Sequence, residues 1–194
     1  QREVIAGIIP AYRALEARRQ VELTTSPYYH PILPLLANTD SAKISMPGTP
    51  LPSPALVAPE DAREQIARAV LTHAERFGKK PAGLWPSEGA VSPAILPMIA
   101  EGGFKWFASD ESILSRSLGV RIERDGAGHV KNPAILYQPY WVEGGGGRTA
   151  AVFRDHALSD RIGFLYQSMD PHAAADDMIG CLHVIRERLD GDDL

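Results

Sequence analysis

The sequence predicts an α/β fold with a mostly parallel sheet, and three observations carry that expectation. Short β-favouring runs alternate with helix-period segments, and parallel neighbours need such crossovers between them. Pro and Gly punctuate the junctions: Pro59 and Pro93 open helical stretches, and Gly78 and Gly102-Gly103 close them. Carboxylates recur at or near the ends of the apolar runs, at Glu22, Glu88 and Asp110, where a parallel sheet presents its functional loops.

From the N-terminus, Val4, Ile5, Ile8, Ile9, Tyr12 and Leu15 form a helical stripe with no capping residue before it, so the chain reads as cut at that end. Residues 21–25 favour a strand that Ser26-Pro27 ends. Tyr28 to Leu36, with prolines at 31 and 34, reads as a buried turn and short helix. Residues 38–58 are rich in Ser, Pro, Thr and Gly and read as a long loop. A helix follows from Pro59, with Glu60 and Asp61 in its first turn, Ile66, Val70, Ala74 and Phe77 on one face, and Gly78 as its stop. The apolar run Ala82 to Trp85 is a strand, Ser92-Pro93 opens a helix reaching Gly102, and residues 105–108 form the next strand. Two runs within 136–153, flanking Gly144 to Gly147, predict a small hairpin. A last helix spans Pro171 to Leu189.

At 194 residues, 44% hydrophobic and 23% charged, the chain can bury one substantial core and reads as a single domain. A net charge of −4 offers no basic stripe for nucleic acid or for an acidic membrane. No stretch approaches the ~20 apolar residues of a bilayer span. Cys181 is the lone cysteine, which excludes an intrachain disulfide and a Cys-based zinc cluster and favours a reducing, cytoplasmic setting.

The densest chemistry lies at Trp85-Pro86-Ser87-Glu88-Gly89. An aromatic ring three residues before a carboxylate suits a site that seats a sugar ring and attacks its anomeric carbon. Each residue also has a plainer reading. Glu88 can be a cap neighbour or ion-pair partner, and Trp85 can be core. Glu22 can be a solvent-facing edge residue, and His30, between two tyrosines and Pro31, a hydrogen-bonded core histidine. Asp110 and Glu111 fit a helix cap, and Arg154-Asp155 fits an ion pair. Gly144 to Gly147 lacks the strand-to-helix setting of a phosphate loop.

Taken together, ELTTSPYYHPILPLL (22–36), GLWPSEGAVS (83–92), WFASDE (106–111) and FRDHALSDRIGF (153–164) resemble glycoside hydrolase family 57, in the family's order and over nearly the whole chain. The likeness is closest to amylopullulanase-related and uncharacterised bacterial members. It implies a retaining enzyme acting on α-glucans by hydrolysis or transglycosylation, on a partial (β/α)7-type distorted barrel with no metal or cofactor. By resemblance Glu88 is the nucleophile, Trp85, Glu22 and His30 bind the sugar, and Asp110 and Glu111 face the cleft. Two departures stand out. No His-Gln-Pro strand precedes Gln1, and no Leu-Asp-Gly-Glu-Asn strand supplies the acid; the run Leu189 to Asp193 closes a helix instead. The expectation is therefore a single truncated catalytic barrel domain, residues 1–194, inactive alone and prone to self-association through exposed sheet edges. Asp155 is the in-chain candidate for the acid, with the true acid expected beyond Leu194. The alternatives are a metal-dependent polysaccharide deacetylase-like hydrolase, whose His-x3-His spacing the six histidines lack, and a non-catalytic glucan-binding module.

Overall fold

The computed structural model describes residues 2–145 and 147–191. Helices α1 (Arg2–Ala17), α2 (Leu33–Ala37), α3 (Ala42–Ser45) and α4 (Pro59–Phe77) precede strand β1 (Gly83–Leu84). Then come α5 (Leu96–Glu101), β2 (Trp106–Asp110), α6 (Glu111–Leu118) and α7 (Pro133–Leu136). The chain continues through β3 (Tyr140–Gly144), β4 (Gly147–Arg154), α8 (His156–Asp160) and α9 (Pro171–Gly191). The four strands form one sheet in the order β1-β2-β4-β3. β1 and β2 are parallel, with Gly83 opposite Trp106 and Leu84 opposite Phe107.

Helix α4 forms where the pattern puts it. Pro59 needs no donor in the first turn, Glu60 and Asp61 offset the positive end, and Arg76 sits in the last turn. Gly78 then leaves the helix at φ +83°, with its N–H on the Ala74 carbonyl. The helix buries Ala62, Ile66, Ala69, Val70 and His73.

Three local expectations change. The run 21–25 is not a full strand: Thr25 alone bridges Leu84, because the Leu23 N–H is taken by the Glu16 carboxylate at 3.2 Å and not by a ladder partner. Helix α5 begins at Leu96, not near Pro93. Pro97 has no N–H for an upstream carbonyl, so it belongs in a first turn. Leu136 ends α7, a turn opened by Pro133, so β3 starts at Tyr140. Within 38–58 the chain makes a 3-10 turn, Thr39–Ser41, and the short α3. Leu189 and Asp190 continue α9, while Asp192 and Asp193 lie outside the described residues.

The chain groups into two compact units, Gln1–Ala108 with Trp141–Ala151, and Ser109–Tyr140 with Val152–Leu194. The first is built on Leu33, Ile66, Leu84, Ile99 and Phe107, all at most 3% exposed. In the second, Leu114, Val130 and Leu136 form a buried cluster against which Ile122, Tyr137, Tyr140 and Phe153 pack. Arg188 of α9 donates to the Val130 carbonyl at 2.8 Å. Among the described residues no helix is long and apolar enough to cross a membrane.

Candidate active site

In the first unit, β1 runs out at Pro86, and Ser87–Gly89 make one tight turn. The Gly89 N–H bonds Pro86 C=O at 2.9 Å and the Ala90 N–H bonds Ser87 C=O at 3.1 Å. Glu88, between buried Ser87 and buried Gly89, takes the left-handed conformation at φ +57°. That inversion turns its side chain outward, 73% exposed. A non-glycine residue held left-handed costs roughly 1–2 kcal/mol, so its neighbours must enforce it.

His30 does the same on the facing turn. Its N–H closes a turn onto Pro27 C=O at 2.8 Å and its φ is +58°. The two strained residues meet, with His30 Nε2 3.6 Å from Glu88 Oε1. Sequence reading assigned both to one sugar site, and the structure brings these two together.

Glu22 is held by a side chain of the same unit. Its Oε1 accepts the indole N–H of Trp106 at 2.7 Å. The ring can lie there because Gly83, opposite Trp106, has no side chain. A Cβ at Gly83 would stand 2.4 Å from the indole and 2.8 Å from Thr24 Cγ2. Trp85 is partly buried, and its N–H bonds the Thr25 carbonyl at 2.8 Å. Trp106, which sequence reading placed only in a strand, is the side-chain partner of Glu22. The signal was Gly83 itself, since a strand glycine marks close approach by another group.

The second unit gathers Asp110, Glu111 and Asp155. Asp110 caps α6 by accepting the Ser112 N–H at 2.9 Å, and it also meets Arg154 at 2.8 Å and His156 at 3.2 Å. Burial pushes its pKa up, but the Ser112 amide and hydroxyl, then Arg154 and His156, outweigh it and hold the group at about 2. Asp155 caps α8 through the Leu158 N–H at 2.9 Å and accepts Tyr137 OH at 2.6 Å and Arg124 at 3.0 and 3.2 Å. Burial again opposes ionisation, and Tyr137, Leu158 and Arg124 overcome it, so Asp155 stays below the ordinary carboxylate range. The same Arg124 reaches Glu111 at 2.5 Å. Arg124, a residue in a loop of no recognisable pattern, had no sequence signal. Among the described residues no three of His, Cys, Asp and Glu stand close enough to hold a metal ion.

The model of glycosyl hydrolase family 57 matches residues 1–192. The chain belongs to that family. Several solved structures share the fold of this family 57 chain. A 4-alpha-glucanotransferase from Thermococcus litoralis is 22% identical with a TM-score of 0.54, over 80% of this chain and 19% of its own. An alpha-amylase from Thermotoga maritima is 19% identical at TM-score 0.55, over 83% and 25%. A family 57 branching enzyme from Thermococcus kodakaraensis is 21% identical at TM-score 0.54, over 83% and 28%. The chain thus spans 19–28% of the length of these proteins. Among curated proteins none matches it.

Proposed function

We propose that the chain is the nucleophile-bearing part of a retaining glycoside hydrolase or transglycosidase acting on α-glucans, with a partial (β/α)7-type barrel as its fold. The observation that carries this reading is Glu88: a carboxylate pushed outward by a left-handed turn just past a strand end, 3.6 Å from His30, in a family 57 chain. Glycosidic cleavage with retention needs a carboxylate oxygen that bonds the anomeric carbon while a second carboxyl group protonates the departing oxygen. Glu88 takes the first role and forms the glycosyl ester. His30, Trp85 and Glu22, all in the same unit as Glu88, hold the sugar. Water or a glucan hydroxyl then attacks the ester, returning a proton to the acid and freeing Glu88.

The acid itself is not assigned to Asp155. Tyr137, Leu158 and Arg124 all favour its charged form, which speaks against Asp155 as the proton donor. This supports a donor supplied from outside the residues described. The test is Glu88→Gln in a glucan-cleaving protein that contains this chain. Turnover is expected to fall roughly 10⁴-fold with glucan binding retained. Unchanged turnover would remove Glu88 from the chemistry.

A further inference from the structure

The turn that carries His30 has little burial to hold it. Tyr28 is 41% exposed, Tyr29 is 71% exposed and the His30 side chain is 49% exposed, yet the backbone at His30 is strained. Strain of this kind persists only where the surroundings over-determine the conformation. The determinant lies on α4, 35 residues further along the chain, at Gln65. The Gln65 backbone carbonyl accepts the Tyr28 N–H at 3.2 Å, and the Gln65 side-chain Oε1 accepts the Tyr29 N–H at 2.8 Å. An N–H must meet the oxygen and not the amide nitrogen, so the orientation of the Gln65 carboxamide is fixed. Two successive backbone donors, immediately before the strained residue, are thus tied to one residue of a helix whose other face is buried in the core.

We infer that Gln65 is a positioning residue: it clamps the turn and so holds the His30 imidazole against Glu88. This rests on Glu88 and His30 forming the sugar site. The Tyr28 bond uses backbone that any residue supplies, whereas the Tyr29 bond depends on an acceptor at the end of the side chain. The requirement is therefore for an oxygen at that position. Glu meets it. Met, of similar length and high helix propensity, does not.

The test compares Gln65→Met and Gln65→Glu with the wild-type chain, reading the His30 ring signals by NMR and hydrogen exchange at the Tyr29 amide, with Glu88→Gln marking the His30 signal when the neighbouring carboxylate charge is lost. Gln65→Met is expected to lower Tyr29 protection about two- to tenfold and to move the His30 signal toward its position in Glu88→Gln. Gln65→Glu is expected to keep both near wild type. A His30 signal unmoved by Gln65→Met, or moved equally by Gln65→Glu, would overturn the clamp. If the Met variant fails to fold, Gln65→Ala, at the strongest helix former, makes the same comparison. In a glucan-cleaving protein containing the chain, the clamp predicts a lower kcat for Gln65→Met, rescued by Gln65→Glu. Normal turnover in Glu88→Gln would overturn the nucleophile while leaving the NMR result standing, so the two ideas fail separately.

Discussion

Gly83 shows how a single missing side chain shapes the first unit. The indole of Trp106 occupies the space that a Cβ would need, and the position of that ring sets the 2.7 Å bond to Glu22. Gly83→Ala is expected to force the ring aside, at a cost of about 1–3 kcal/mol, and to release Glu22. A lower unfolding midpoint, together with a shifted Trp106 indole N–H signal, would report this; an unmoved signal would mean that the ring has slack. Glu88 was legible in the sequence because a carboxylate past an apolar run and a proline is a local pattern. The fit of Trp106 over Gly83 was not, since it joins residues 23 positions apart on two paired strands. His30 was legible as a polar residue after two tyrosines and before Pro31, but the bonds that its turn makes to Pro27 and Gln65 are ones that no periodicity points to.

At the scale of elements, α6 and α8 both start on an aspartate drawn into a charge network. The Ser-Asp-Glu-Ser pattern predicted the cap by Asp110, and the structure has it. Arg154 and Asp155 read as a neighbouring ion pair, but adjacent residues at a strand end point to opposite sides. Arg154 reaches Asp110, and Asp155 takes Arg124 from a distant loop. Asp110, held at about 2 in the fold against roughly 3.9 in an unfolded chain, contributes stability that is fully present above pH ~4 and lost as pH falls through ~2. Asn caps a helix as well as Asp does, so Asp110→Asn keeps the cap while removing the charge and the oxygen that Arg154 and His156 share. The variant is expected to lose about 1–2 kcal/mol at pH 7 and to show a flatter decline between pH 4 and pH 2. Urea unfolding at several pH values checks it; an unchanged pH profile would show that the Asp110 charge contributes nothing to stability. The parallel pairing of β1 with β2 was legible from alternation. The placing of β4 between β2 and β3 was not, because no local signal tells a strand which distant strand it will neighbour.

At the scale of the whole molecule, the family match covers residues 1–192, while the chain spans only 19–28% of the solved relatives described above. A nucleophile without its proton donor forgoes a contribution of about 10²- to 10⁴-fold. On the proposed reading, with Glu88 as nucleophile and the acid outside the described residues, the isolated 194-residue chain is expected to leave maltooligosaccharides intact over a long incubation followed by chromatography. Appreciable cleavage would mean that a carboxyl group within the chain serves as the acid. The strained pair His30 and Glu88 also bears on how this sequence would drift. Glycine adopts their backbone conformation without the steric cost that His and Glu incur. A population of variants selected only for resistance to heat is therefore drawn toward glycine at positions 30 and 88, and, on the proposed reading of these residues, one selected for turnover is held at His and Glu. The opposed pressures fall on the two residues whose side chains meet, which makes them the positions where selection for durability and selection for chemistry would part first.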